Sequence, residues 1–476
     1  MLLHPAQKQI VSSKARFKVI RAGRKGGKTA MEVENIVYKA VAKAEDLPIS
    51  KKEFATGRKV LYIAPTQAQA RNIIWEALKN RLAKIGIPNE QMLQMKVPNA
   101  DGNKSTIYVG GWENRENYRG LTDVVHISFD EVDSLRNFFV AWLDIFRPMF
   151  LDTSGTANFI GTPQKENPNL RRLEKEFEQQ PNAECFHFTS KDNPHLPIQE
   201  LLALEKEYEG NRESYKQEVL AEHIDNAGAL FKYTALLDLF SNTITKTNEK
   251  YLVVDIADDG SDKTIFAFWR DLELYRIEQF EQLNTESIIN HIREYASESQ
   301  IPYSQIAVDA IGVGAGVASS SLLSGIIGYK SSFQAFKIDR DMVKLPNVHY
   351  TKEAPRFTEY RNLRSQCVFT LADLVNNHKI AVKIEDHRIK EKIIEELSHY
   401  QDASQGDGKR MATPKEDIKE IIGHSPDISD TMLMRMYFSL KEKLAPQTSE
   451  ETQVITNKIK NQFDSAFNRQ HLSSTR

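Results

Sequence analysis

An α/β chain of two successive domains, the first built on a mostly parallel sheet, is the fold class this sequence predicts, and three observations predict it. Up to about residue 195, short β-branched or aromatic runs alternate with longer helical patterns, the order that lays helices across a parallel sheet. A glycine-rich turn separates the first such run from the first helical pattern. Near residue 250 the pattern restarts with three strand-like runs in close succession, whose short connections favour antiparallel pairing. The chain has 476 residues, enough for two or three separate cores.

In chain order, the first part carries expected strands at Phe17–Ala22, Val60–Ala64, Thr106–Gly110, Val124–Asp130 and Ala157–Gly161, with helices over Gly27–Ala44, Ala68–Lys84 and Ser134–Phe146. This defines a domain over 1–197. Residues 198–247 are charged and helix-forming at first and read as a connector. A second α/β domain spans 248–444, with strands Tyr251–Ile256, Thr264–Trp269, Glu273–Glu278 and Gln305–Asp309. Its helices are expected at Thr285–Ser297, Pro355–Asn377 and Pro426–Leu440, and Gln401–Lys415, rich in Gly, Ser, Asp and Lys, reads as a mobile loop. The polar stretch 445–476 reads as a partly disordered tail.

Composition narrows the function classes. Hydrophobic residues make up 40% and charged residues 27%, which excludes a chain disordered throughout. No apolar run reaches about 18 residues, and Met1-Leu2-Leu3-His4-Pro5 lacks a signal-peptide layout, so an intracellular protein that neither crosses a membrane nor is exported is expected. Two widely separated cysteines, Cys185 and Cys367, exclude a Cys-rich zinc site and fit a reducing compartment. With 63 basic against 65 acidic residues, any nucleic-acid contact must come from a local patch. One such patch is Lys14, Arg16, Lys18, Arg21, Arg24, Lys25 and Lys28.

That patch runs into Arg21-Ala22-Gly23-Arg24-Lys25-Gly26-Gly27-Lys28-Thr29, between a strand and a helix, which is the setting of a P-loop. Gly23, Gly26 and Gly27 let backbone N–H groups curl around phosphates, Lys28 would bridge the β and γ phosphates, and Thr29 would hold Mg²⁺. Ala22 stands where the usual spacing has glycine. Downstream, Val124-Val125-His126-Ile127-Ser128-Phe129-Asp130-Glu131 is an apolar strand ending in two acids, the Walker B pattern. Asp130 would take the Mg²⁺ water shell and Glu131 would polarise the attacking water. His126 reads as a packed histidine. Arg24 reads either as an arginine finger or as a plain phosphate or DNA contact, and Gln7 as an adenine reader or a solvated glutamine.

In the second domain Asp255 lies inside an apolar strand, where an uncompensated charge is costly, and Asp309 ends another before a glycine-rich turn. Ser425 can cap a helix begun by Pro426, placing Asp427 and Asp430 one turn apart on one face. Strand acid, second-strand acid and helix acid form the layout of a nuclease using two Mg²⁺ or Mn²⁺ ions. Asp430 is the preferred third ligand, and Asp427 is as well explained by favourable charge at a helix N-terminus. Asp262 reads as a turn residue, and Lys415 and His424 as solvated loop residues with a phosphate contact as the alternative.

Taken together, these motifs resemble the large terminase subunit of tailed bacteriophages. Further marks are His4-Pro5-Ala6-Gln7, Ala64-Pro65-Thr66-Gln67 with Trp75, Arg119-Gly120, Gly161-Thr162-Pro163 and Ser190-Lys191-Asp192-Asn193-Pro194. The resemblance implies a RecA/ASCE-like P-loop ATPase domain followed by an RNase H-like nuclease domain. It implies that Gln7 reads adenine, that Arg24 acts from the phosphate loop, that Thr162 couples hydrolysis to movement, and that Asp255, Asp309 and Asp430 carry the nuclease. It also implies ATP, Mg²⁺ at the ATPase site, double-stranded DNA, a portal protein, a small terminase subunit and a homo-oligomeric ring, expected as a pentamer, in the host cytoplasm on a procapsid. A helicase or repair ATPase lacking cleavage, and a scaffold that binds without turnover, are the competing readings.

Overall fold

Alternation along each strand decides which side chains meet the helices on either face of a sheet. In the computed structural model, residues 3–54, 57–165, 167–226, 228–257, 262–339, 357–406 and 408–444 are described. The tail expected over 445–476 lies outside the described residues. The chain divides into two units, Met1–Ala227 and Gly228–Arg476.

The first unit holds β1 (Phe17–Ala22), β2 (Lys59–Ala64), β3 (Ile87–Asn89), β4 (Gln94–Pro98), β5 (Lys104–Gly111), β6 (Val124–Phe129), β7 (Thr156–Gly161) and β8 (Ala183–Phe188). They form one sheet in the order β3-β4-β5-β2-β6-β7-β1-β8. The six strands from β5 to β8 run parallel, and β4 and β3 add an antiparallel edge. The sequence reading missed β3, β4 and β8. All three lie at or next to an edge, and the prolines Pro88 and Pro98 disguise the first two.

The helices of this unit are α1 (Pro5–Ser12), α2 (Lys28–Val41), α3 (Gln67–Ala70), α4 (Glu76–Arg81), α5 (Phe138–Ala141), α6 (Asn169–Phe177), α7 (Ile198–Glu207) and α8 (Arg212–Glu218). A wider π turn over Arg71–Trp75 joins α3 to α4. The helix expected from Ser134 begins only at Phe138, because Asn137 adopts a left-handed φ of 53°. A register shift between Lys59 and Val60 sets the face alternation of β6. Beyond it, Ile127 and Phe129 join Phe17, Phe159, Trp112 and Trp142 in an aromatic core, with Phe129 stacked on Phe159 at 5.6 Å. Val60, Tyr62, Ile36, Ile74 and Trp75 fill the opposite side.

The second unit contains β9 (Lys250–Asp255), β10 (Thr264–Arg270), β11 (Glu273–Phe280), β12 (Ile306–Asp309), β13 (Ile327–Tyr329), a separate pair β14 (Ile338–Asp339) and β15 (Phe357–Thr358), and β16 (Ala381–Val382). Its main sheet has the order β13-β12-β9-β10-β11-β16. The first three expected strands pair antiparallel, and β12 lies parallel to β9. Helices are α9 (Tyr233–Asp238), α10 (Thr285–Ser299), α11 (Val313–Ala318), α12 (Leu363–Asn376), α13 (His387–Ser398), α14 (Lys415–Ile422) and α15 (Asp427–Leu444).

Of the helix expected over Pro355–Asn377, Pro355 and Arg356 lie outside the described residues; among the described ones it starts at Leu363, where the Asn362 side chain accepts the Ser365 N–H. The stretch expected as a mobile loop, Gln401–Lys415, is pinned: Ala403 N donates to Met411 O at 2.8 Å and Arg364 Nη1 to Thr413 O at 2.9 Å. Asp407, within it, lies outside the described residues. Among the described residues, no helix is long and apolar enough to cross a membrane.

Candidate active sites

The glycine-rich segment forms a closed loop between β1 and α2, backed on two sides by its own unit. His4 Nε2 lies 3.0 Å from Gly26 O, and Gln7 Nε2 donates to Gly27 O at 2.8 Å. On the other side Ser190 Oγ donates to Arg24 O and Asn193 Nδ2 to Lys25 O. Gly27 has φ +99°, and a Cβ there would stand 2.4 Å from Gln7 Nε2; at Gly23 one would stand 2.4 Å from Val219 O. Both positions therefore require glycine.

Lys28, in the first turn of α2 with Thr29, directs Nζ to Thr162 Oγ1 at 2.7 Å and to Ala22 O at 3.2 Å. Its ammonium is 3.7 Å from Glu131 Oε1. Asp130 follows β6, is buried, and accepts the Tyr62 hydroxyl. Burial, then the neighbouring Glu131 carboxylate, push its carboxyl up to about 6 against the opposing pull of Tyr62 and Lys28. Arg24 pairs with Glu218 through Nε at 2.7 Å. Arg24, Glu131, Thr162, Gln164 and Glu218 line a cavity of about 280 Å³. An anion cradle with one lysine, a hydroxyl and a buried acid fits a nucleotide phosphate with its cation.

In the second unit β9 and β12 are parallel neighbours with Val254 beside Val308, so Asp255 and Asp309 emerge together at the same sheet edge. Asp427 and Asp430 occupy the first turn of α15. All four line a cavity of about 480 Å³, with Asp262, Arg364 and Lys415. Lys415 Nζ meets Asp430 Oδ2 at 2.6 Å and Arg364 Nη2 lies 3.7 Å from Asp430 Oδ1. Burial would lower the Lys415 ammonium, but Asp430 and Asp255 outweigh it and hold it above its ordinary range. Burial pushes the Asp255 carboxyl upward; Lys415 opposes this, and Asp430, Asp427 and Asp309 add to it. Burial likewise raises Asp427.

Among the described residues, no three His, Cys, Asp or Glu side chains converge as a ready metal-holding group. The donor set nonetheless fits hard divalent cations: carboxylate oxygens alone, crowded and partly desolvated, with two side-chain cations already drawn to them.

Residues 19–238 match the family described as "Terminase large subunit, T4likevirus-type, N-terminal". The match covers most of the first unit and less than half of the chain, so it is a likeness of that unit to the N-terminal part of terminase large subunits. No curated protein matches it. Among solved structures it is similar to the large terminase ATPase domain of Thermus phage P74-26, at 22% identity over 47% of this chain and 94% of that one, TM-score 0.38. The large terminase of a thermophilic bacteriophage aligns at 14% identity over 91% of this chain and 98% of that one, TM-score 0.41. A mutant nuclease domain of the large terminase subunit of bacterial virus Sf6, solved with manganese and β-thujaplicinol, aligns at 20% identity over 44% and 98%, TM-score 0.36.

The structure brings together Lys28, Asp130, Glu131 and Thr162 in one unit, and Asp255, Asp309, Asp427 and Asp430 in the other. Gln7 is buried against the loop backbone, and Arg24 is on Glu218. Lys415 is corrected from a solvated loop residue to a cavity residue, because α14 begins there and turns it onto Asp430. Asp262 is held by Lys419 at 3.1 Å, and His424 lies 3.4 Å from Glu395. The helix expected to begin at Pro426 begins at Asp427, and Glu396 accepts the Ser429 N–H of its first turn at 2.6 Å.

Sequence reasoning also missed Asp133. Its two oxygens accept Leu170 N at 2.7 Å and Gln164 N at 2.8 Å, while Asn169 Nδ2 returns bonds to Val132 O and Leu135 O. The turn after Glu131 is thereby stitched to the segment after Thr162. Asp133→Asn turns an amide N–H toward a backbone N–H, and is expected to destabilise the first unit by about 1–3 kcal/mol at pH 6. Burial pushes the Asp133 carboxyl up to about 8, so the folded protein binds its proton more tightly than the unfolded chain does. The stability this contributes is complete below the unfolded value and is lost as pH rises through about 8. Thermal melts from pH 5 to 9 should show that loss in the parent and a flatter profile in Asp133→Asn.

Proposed function

We propose that this chain is a terminase large subunit, which hydrolyses ATP at the loop of residues 23–29 to drive double-stranded DNA into a procapsid, and cuts that DNA at the aspartate cavity of its second unit. The observation that carries this reading is the pair of sites itself: Lys28 facing Glu131 and Thr162 in one unit, and four aspartates around one cavity in the other. Gly23, Gly26 and Gly27 present the loop backbone to the phosphates, and Lys28 exchanges Thr162 and Ala22 for phosphate oxygens. Arg24 reaches the phosphates on leaving Glu218. Gln7 holds the loop, and its place beside it supports contact with the adenine. Glu131 orients and deprotonates the attacking water, and Thr162, released by Lys28, passes the change to the segment stitched by Asp133.

Thr29 and Asp130 would hold Mg²⁺ at the first site; Asp255, Asp309 and Asp430, with Asp427, would hold two Mg²⁺ or Mn²⁺ at the second. When bound, such ions neutralise charge on phosphate oxygens and make water nucleophilic at neutral pH. Lys415 and Arg364 keep Asp430 oriented into the cavity. DNA contacts at phosphates need no sequence specificity. A portal protein, a small terminase subunit and a pentameric ring docked on the procapsid in the host cytoplasm complete the reading, as do the domain limits 1–197, 198–247 and 248–444.

The test uses the full chain. The parent is expected to hydrolyse ATP and to cut supercoiled plasmid in Mn²⁺, with Lys28→Ala removing only the first activity and Asp255→Asn only the second. Parent protein that neither hydrolyses ATP nor cuts, while folded, would overturn the proposal.

A further inference from the structure

A row of polar side chains crosses the sheet of the first unit beneath α2, where an apolar layer would be the ordinary filling. Lys18, Asn158, Ser128 and Tyr62 are register partners across β1, β7, β6 and β2. All four are buried. Over them sits Glu32, 1% exposed and one helical turn beyond Lys28. Its Oε1 accepts Asn158 Nδ2 at 2.8 Å; its Oε2 accepts the Ser128 hydroxyl and lies 3.5 Å from Asn35 Nδ2.

The two strands gripped by Glu32 are the ones that deliver the reacting groups. Ser128, on β6, precedes Asp130 by two residues, and Asn158, on β7, precedes Thr162 by four. Tyr62, at the end of the row, bonds Asp130 directly. His126 braces the arrangement between Asn35 at 2.9 Å and Thr156 at 2.7 Å.

Stability alone does not call for a carboxylate here, since buried ionic groups are commonly replaced by apolar ones without loss. A carboxylate whose oxygens bond different strands does something an apolar residue cannot: it fixes the lateral position of one helix against both. We infer that Glu32 is a positioning residue of the ATPase, holding α2, with Lys28 and Thr29 in its first turn, in register with the strands that carry Asp130, Glu131 and Thr162. This rests on the proposed ATPase reading of the same loop.

The experiment is steady-state ATP hydrolysis by the full chain, normalised to folded protein by nucleotide-binding titration. Glu32→Ala is expected to lower kcat by roughly 10–100-fold, as loss of an outer support of a site does, with KM for ATP within about threefold of the parent. Glu32→Gln keeps an acceptor for Asn158 and a donor for the Ser128 oxygen, and is expected to restore most of the lost kcat. A core defect would lower the folded fraction and leave kcat per folded molecule unchanged. Should Glu32→Ala not fold, Ser128→Ala and Asn158→Ala each release one strand, and each is expected to lower kcat severalfold at unchanged KM. Parent-like kcat in Glu32→Ala, or in both of these, beside an inactive Lys28→Ala overturns the inference. Hydrolysis by Lys28→Ala at the parent rate would instead overturn the ATPase reading beneath it.

Discussion

Asp255→Asn is expected to lower plasmid cleavage by roughly 10³-fold or more, about 4 kcal/mol of barrier, without loosening the fold. Asp255 ends β9 in a buried position, beside Asp309 on β12 and across from the first turn of α15. Asparagine has the same shape, so packing around Val254 and Ile256 is retained. What disappears is a negative charge that the site would use to hold cations on the DNA phosphate. In the free protein the same charge is opposed by burial and by three neighbouring carboxylates, with Lys415 the offsetting group. Removing it should therefore leave thermal stability equal to or above that of the parent. Nicking and linearisation of supercoiled plasmid in Mn²⁺, followed beside a melting curve, check both halves of the expectation. Cutting within tenfold of the parent would remove Asp255 from the cleavage site. A lower melting temperature accompanying lost cleavage would attribute the loss to folding instead.

The two sites were unequally legible. Lys28, Asp130 and Glu131 stand out because strand, loop and helix fix them locally, and a handful of adjacent residue types makes up the motif. Asp255 and Asp309 are legible for a related reason: a carboxylate at the end of an apolar strand is conspicuous, and parallel neighbours bring such ends together. The supporting groups are not adjacent in sequence to what they support. Tyr62 reaches Asp130 from a different strand, and Glu32 reads simply as one polar residue in a helix. Lys415 closes a stretch whose composition suggests solvent, yet the Arg364 bond to Thr413 folds that stretch back and delivers Lys415 to Asp430. Composition reports turn propensity, whereas the loop's position is decided by tertiary and cross-loop bonds, from Arg364 of α12 to Thr413 and from Ala403 to Met411. Arg24 shows the converse: its place in the loop is evident from sequence, but its pairing with Glu218, nearly two hundred residues later, is a tertiary fact.

Glu131→Gln is expected to reduce ATP turnover by roughly 10²–10⁴-fold, the span a positioned general base supplies, while nucleotide still binds. Glu131 adopts a left-handed φ of 48°, which turns its side chain back toward the phosphate loop. There Oε1 is 3.7 Å from Lys28 Nζ and Oε2 accepts Thr162 N at 3.4 Å. The amide keeps an oxygen for one of these contacts, so the loop and the Thr162 segment retain their places. It cannot take a proton from water, which is the step proposed for the carboxylate. Glu131 is also one of the two main causes of the raised Asp130 carboxyl, so its neutralisation should bring Asp130 closer to its ordinary value and favour binding of Mg²⁺ with the nucleotide. The expected signature is thus tight nucleotide binding without turnover, measured by equilibrium binding of a fluorescent ATP analogue beside phosphate release, with plasmid cleavage by the second unit as the folded-protein control. Turnover within tenfold of the parent would assign the base to another residue. Loss of binding together with turnover would mean that Glu131 shapes the pocket, acting on Lys28 and Thr162 instead of on water.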